Sequence, residues 1–236
     1  MGFHPLVDHN RRFILFWNAK CGCSSLKDMF LRVVRSADYS GFDGDVQALH
    51  KQVGYQHGPF TCTRASVADE LSGYFKWIVV RNPWRRLASF FTDKSIFGGA
   101  AEVDRAKQID SRGLTFRELV RVIAPLKSRE LQHHLEPQNL GLEDVEFDRV
   151  VRLEQTSPAI SEIGGQLGLP DLELRQINVA RNRVTAVSSE FLGDRPASSL
   201  ADGPTPSWKQ LYDDELIEAA ARIYADDIER FGYRFE

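Results

Sequence analysis

The chain has 236 residues, of which 42% are hydrophobic and 27% charged, a balance that suits one soluble domain of moderate size able to bury a substantial core. Its net charge of −3 excludes a global attraction to nucleic acid or anionic membrane, so any anion site must be a local basic cluster. No apolar run approaches the ~20 residues that span a bilayer. The opening MGFHPLVDHNRRF lacks the apolar core of a signal peptide, and Leu6 stands where a myristoylation motif needs Ser or Thr. These features point to a cytoplasmic protein. Its cysteines, Cys21, Cys23 and Cys62, are too few for a zinc site or a disulfide framework. They read as reduced thiols, with Cys23 a small packing residue.

The first element is the apolar run Phe13–Trp17, following a terminus (with His4 and His9) expected to fray. It ends in Asn18-Ala-Lys20-Cys-Gly-Cys-Ser-Ser25, after which LKDMFLRVVR has helix-forming character over about 25–36. A buried strand that stops at a small-residue loop and restarts as a helix presents unpaired N–H groups and the positive end of the helix dipole. Such a joint is a ready anion site. Lys20 adds a mobile charge, and Ser24 and Ser25 add hydroxyl donors. A turn built from Gly and Ser for conformational reasons alone has the same composition. The loop lacks the G-x-x-x-x-G-K-[ST] spacing of nucleoside-triphosphate loops, which argues against an ordinary ATPase.

Residues 37–63 read as irregular, and Ser66-Val-Ala-Asp69 as a capping box opening a short helix. Phe75–Val80 is a second buried strand, ending at Arg81-Asn82-Pro83, with Pro83 in the first turn of a helix that runs to Gly98-Gly99. Arg81 emerges from a buried strand and can grip a phosphate with two prongs, Ser89 donating to the same group. Arg85 and Arg86 read as solvated ion pairs. Thr115-Phe-Arg-Glu118 opens another helix, Asp148–Glu154 is a third strand, and Ser157-Pro158 reads as N-cap and first turn of the next helix. Residues 171–207 are loop-rich, and a final helix spans 213–230, closed by Gly232. Strands alternating with helices predict a central parallel β-sheet flanked by helices, with ligands at the carboxyl ends of the strands.

The segments A-K-C-G-C-S-S-L-K (19–27) and V-R-N-P-W-R-R-L-A-S (80–89) together resemble the motifs of the PAPS-dependent sulfotransferases. The similarity is to the branch containing the carbohydrate 4-O-sulfotransferases and the HNK-1 sulfotransferase. H-x-x-P-Q at 134–138, F-D-x-V-x-R-L-E at 147–154 and Y-x-x-D-x-x-x-F-G-Y at 224–233 follow in family order. Ala19 departs from the usual proline. The resemblance implies a single sulfotransferase domain over 1–236 with a P-loop-like fold, in a small bacterial-type, cytoplasmic member.

It also implies PAPS (3′-phosphoadenosine 5′-phosphosulfate) as sulfuryl donor, PAP as product, no metal, and a hydroxyl acceptor, either a saccharide or a small metabolite. The phosphosulfate would lie on Lys20, Cys21, Gly22, Cys23, Ser24, Ser25 and Leu26, and the 3′-phosphate on Arg81 and Ser89. Lys20 would stabilise charge on the leaving oxygen. A base remains to be chosen among His134, His50, His57 and Glu154, with His133 a partner for His134. Arg183, with Asn182, either closes over the nucleotide or lies on solvated surface. A P-loop small-molecule kinase and a non-catalytic nucleotide-binding regulator are the rival readings.

Overall fold

In a computed structural model of the chain, residues 5–35, 39–41, 43–53, 60–98, 111–177 and 189–236 are described. Their contacts fall into two compact units, residues 2–81 with 141–179, and residues 82–140 with 180–236.

The first unit holds the whole of a four-stranded sheet, ordered β1-β2-β3-β4: β1 (Leu6–Asp8), β2 (Phe13–Phe16), β3 (Phe75–Val80) and β4 (Arg149–Arg152). β2, β3 and β4 are parallel, in the registers Leu15↔Trp77 and Val79↔Val151. Their carboxyl ends therefore open on one edge, where α/β sheets bind ligands. The mixed α/β class with a mostly parallel central sheet is the one expected. β1 corrects the expectation of a frayed terminus. Leu6, Val7 and Asp8 are all buried, and β1 runs antiparallel along β2. An antiparallel neighbour needs only a short turn, here stapled by Asp8, which accepts from the N–H groups of Asn10 and Arg11.

Three helices of this unit are α1 (Cys23–Val34), α2 (Val46–Val53) and α3 (Arg64–Ala68). α2 lies inside the stretch read as irregular. It packs on α1 through Leu49 and Val53, within a core built from Leu15, Leu26, Phe30 and Trp77. α3 starts before Ser66, because the Thr63 hydroxyl already accepts from the Ser66 N–H at 3.1 Å.

The second unit begins with α4 (Pro83–Phe90), which passes into a π-helical turn, Phe91–Ile96, instead of remaining α-helical to residue 97. α5 (Phe116–Ile123) carries the expected box, with Thr115 and Glu118 capping each other's N–H groups. α6 (Thr156–Gln166) belongs to the first unit. Its N-cap is Gln155, because a 3₁₀ turn, Leu153–Gln155, already carries the chain into it, so Ser157 and Pro158 lie inside its first turn. The expected C-terminal helix is two, α7 (Asp214–Ile223) and α8 (Ala225–Phe231), broken at Tyr224. Gly232 closes α8 in the left-handed region, as predicted. An aromatic chain, Phe91–Phe116–Tyr212–Phe235, fills this second unit, with ring centroids 4.9 to 5.5 Å apart. Arg117, bonded to Asp194, Asp213 and Glu215, fastens α5 to the segments around it. No helix of the described residues is long and apolar enough to cross a membrane.

Candidate active site

The loop after β2 takes its shape from two left-handed residues, Lys20 (φ 66°) and Gly22 (φ 75°). Glycine adopts this conformation without penalty, whereas a lysine there stores strain on the order of 1 kcal/mol or more. Gly22 is also crowded: a Cβ at this position would stand 3.1 Å from Leu153 Cδ1, at the carboxyl end of β4. Gly22 is the N-cap of α1 and has no side chain to cap the helix. The helical ladder begins with Leu26 N–H donating to Gly22 O, so the N–H groups of Cys23, Ser24 and Ser25 precede it. α4 differs. Its N-terminus is closed by Asn82, whose side chain accepts from Trp84 and Arg85 N–H. Of these two helix starts, only that of α1 lacks a capping side chain.

Other loop residues have structural tasks. Cys21 is fully buried and its N–H donates to Asn18 O, and Leu26 is fully buried in the core. The Ser25 hydroxyl accepts from Ile177 N–H at 3.3 Å, a role that leaves its own proton to donate. Cys21, Cys23 and Cys62 form no disulfide; Cys23 is half-buried, at the first position of α1.

Arg81 leaves the end of β3 and donates through Nη1 to the carbonyl of Lys20 at 3.0 Å. The two motif residues are thus in direct contact. Behind the loop, Lys27 is buried, with Nζ 3.6 Å from the centroid of the Trp17 ring. Burial lowers its pKa to about 8, partly opposed by Cys23. Half-buried His50, on α2, is lowered to about 4, first by desolvation and then by the Lys27 charge. His50 is therefore neutral at pH 7. Glu154 is exposed in the 3₁₀ turn after β4. Lys20, Arg81, His50 and Glu154 all belong to the first unit.

A strand–loop–helix joint with an uncapped helix start, a strained lysine and an arginine brace is suited to hold a tetrahedral anion. The chain matches the family described as "Sulfotransferase family" over residues 4–234, through both units. It belongs to the sulfotransferase family. Comparison with curated proteins and with solved structures gave no match.

In this sulfotransferase the second motif divides its labour. Arg85 and Arg86 are not the solvated ion pairs expected. Arg85 lies 5.0 Å from the Trp208 centroid, and Arg86 is 2% exposed, within electrostatic reach of Asp227 and Tyr224. Ser89 is half-buried on α4, in the second unit. His134 is half-buried, its ring 3.8 Å from that of exposed His133, and its neighbour Gln132 hydrogen-bonds both its ring and its backbone. His57, Asn182 and Arg183 lie outside the described residues.

The last two family segments turn out to be partners. The Tyr224 hydroxyl donates to Leu135 O at 3.0 Å, and Asp227 accepts from Gln138 N–H and Asn139 N–H, both at 2.8 Å. Asp227 and Gln138 are fully buried. The C-terminal Y-x-x-D segment therefore holds the H-x-x-P-Q segment in place. The sequence offers His134 as a candidate base but shows no task for the C-terminal segment or for Lys27. The helical spacing Cys23–Lys27–Phe30, which puts a lysine on an apolar face, was the available signal for Lys27.

Proposed function

We propose that this protein transfers a sulfuryl group from PAPS to a hydroxyl of a saccharide or small metabolite in the cytoplasm. The observation that carries this reading is the joint after β2: a helix start without a capping side chain, entered through left-handed Lys20 and Gly22 and braced by Arg81. Such a cradle favours a group with several anionic oxygens, and the family to which the chain belongs makes a phosphosulfate the fitting occupant. Lys20 and the N–H groups at the start of α1 would receive the phosphosulfate. By the motif resemblance Arg81, with Ser89, would meet the 3′-phosphate.

In the reaction the acceptor oxygen bonds to sulfur as the bond from sulfur to the phosphate oxygen breaks. The acceptor proton passes to a base, and PAP leaves. Charge builds on the leaving oxygen, where Lys20 and the loop donors act electrostatically. Among the described base candidates, His50 and Glu154 belong to the same unit as Lys20; His50 is the base we favour and Glu154 the second candidate.

Incubating the chain with labelled PAPS and a cell extract, then identifying the labelled product, tests both donor and acceptor class. Lys20→Ala and Arg81→Ala should each abolish label transfer while the protein stays folded. Label transfer at the wild-type rate by Lys20→Ala would overturn the assignment. Magnesium-dependent ATP turnover without affinity for PAP would point to a kinase instead.

A further inference from the structure

Ser25, Asp28 and Arg32 stand at positions i, i+3 and i+7 of α1 and so share one face of the helix. Asp28 is buried on this face and accepts from the Tyr39 hydroxyl at 2.8 Å and from Arg32 Nε at 3.0 Å. Held there, Arg32 donates through Nη2 to the carbonyl of Glu173 at 2.8 Å. Two helical turns earlier, the Ser25 hydroxyl accepts from Ile177 N–H at 3.3 Å. The later residue of one segment thus meets the earlier residue of the other, so 173–177 lies antiparallel along α1. The lengths agree. Seven helical residues rise roughly 10 Å, and four residues of chain can reach roughly 13 Å.

The remainder of the segment is fixed within the same unit. Leu172 and Leu174 alternate with exposed Asp171, Glu173 and Arg175 and pack against the core. Its approach along α6 is close: Leu169 N–H donates to Gly164 O at 2.7 Å, and a Cβ on Gly164 would stand 2.5 Å from Leu169 O. Only glycine leaves room for that approach. Residues 169–177 therefore form a strap held at α6, at the core and at Arg32 before it reaches Ser25.

Ser25 is buried in the first turn of α1, at the anion cradle. Its hydroxyl accepts from Ile177, so the direction left for its own proton depends on where the strap puts that N–H. Taking the cradle as the seat of the sulfuryl donor, as proposed above, we infer that the strap sets Ser25 as a hydroxyl donor to the 5′-phosphosulfate. Arg32 and Leu174 are then positioning residues, which act on nucleotide affinity through Ser25.

A double-mutant cycle on the full chain, read by PAP titration and transfer kinetics, tests this. Ser25→Ala and Arg32→Ala should each raise the PAP Kd about five- to tenfold, the worth of one hydrogen bond. The double variant should bind no more weakly than Ser25→Ala alone. Arg32→Ala should raise KM for PAPS by the same factor and leave kcat within about twofold. Leu174→Ala leaves α1 intact and should behave as Arg32→Ala does; should Arg32→Ala fail to fold, it completes the cycle with Ser25→Ala. In the nucleotide-free chain, Ile177 N–H should exchange faster with solvent in every single variant. Losses that multiply in the double variant, wild-type PAP affinity in both Arg32→Ala and Leu174→Ala, or unchanged Ile177 exchange would each overturn the inference alone. A wild-type chain that binds no PAP would instead sink the donor reading, and this assignment with it.

Discussion

Arg81 Nη1 and the carbonyl oxygen of Lys20 are joined by a 3.0 Å hydrogen bond that spans 61 positions of sequence. It ties the end of β3 to the turn after β2 at the residue whose backbone is left-handed. The strain at Lys20 is therefore held by a neighbouring strand. One guanidinium nitrogen makes this brace, with the fixed directions of a planar fork. Arg81 thus shapes the loop through a directional contact that the point charge of a lysine does not reproduce.

Arg81→Lys should accordingly fail to rescue. Both Arg81→Ala and Arg81→Lys are expected to lose about a hundredfold or more in sulfuryl transfer. Arg81→Ala should also lower stability by roughly 2 kcal/mol, the loss of a charge-assisted bond to a half-buried carbonyl. Denaturant unfolding beside a transfer assay checks both. An Arg81→Lys variant with wild-type transfer would show that the fork is not needed.

The two left-handed positions should respond in opposite ways. Gly22→Ala puts a Cβ at φ 75° and 3.1 Å from Leu153, and should cost about 1–2 kcal/mol of stability as well as weakening PAP binding. Lys20→Gly removes strain at φ 66° but adds freedom to the unfolded chain, so stability should stay within about 1 kcal/mol of wild type. Transfer should nonetheless be lost. Thermal melts and PAP titrations separate the two variants.

How much of this was legible before the structure depends on the range of the interactions. β2 and most of β3 are apolar runs whose burial follows from composition, whereas β4, Arg-Val-Val-Arg, buries only Val151. β1 is only Leu-Val-Asp beside polar residues, and it is a strand because β2 offers an edge. The break at Tyr224 is equally non-local. A helical pattern continues through it, but the buried Tyr224 hydroxyl reaches Leu135. The motif residues Lys20 and Arg81 could be read as an anion site, but a side-chain bond to a backbone carbonyl leaves no mark in spacing.

Lys27 should be a stability cost at neutral pH. Its pKa is about 8 in the folded chain against 10.5 ordinarily, with desolvation the main cause. Below pH 8 both folded and unfolded chains are protonated and the full cost is present. Between pH 8 and 10.5 the unfolded chain binds more protons, so stability rises as pH rises. The cost is roughly 3 kcal/mol, and removing the cation also forfeits its contact with Trp17, worth about 2 kcal/mol when desolvated. Lys27→Met should therefore gain on the order of 1 kcal/mol at pH 7, and its advantage should shrink toward pH 10.5. Urea unfolding of both chains across that range measures it. A Lys27→Met chain less stable than wild type at pH 7 would show that the charge is compensated.

His50 should govern part of the acid limb. Its folded pKa is about 4 against 6.5 ordinarily, through desolvation first and the Lys27 charge second. Below pH 6.5 the unfolded chain takes up a proton that the folded chain refuses, so stability falls from pH 6.5 down to about 4 and the penalty is constant beyond. His50→Gln should flatten this descent relative to wild type, read as the difference between two denaturation series. Lys27→Met offers an internal check, because removing the ammonium takes away the smaller cause and leaves desolvation. The His50 titration, followed by its ring proton shift, should then move upward without reaching 6.5. A His50 titration unmoved by Lys27→Met would mean that desolvation alone holds the imidazole neutral. The proton-accepting form at pH 7 would in that case owe nothing to the buried lysine.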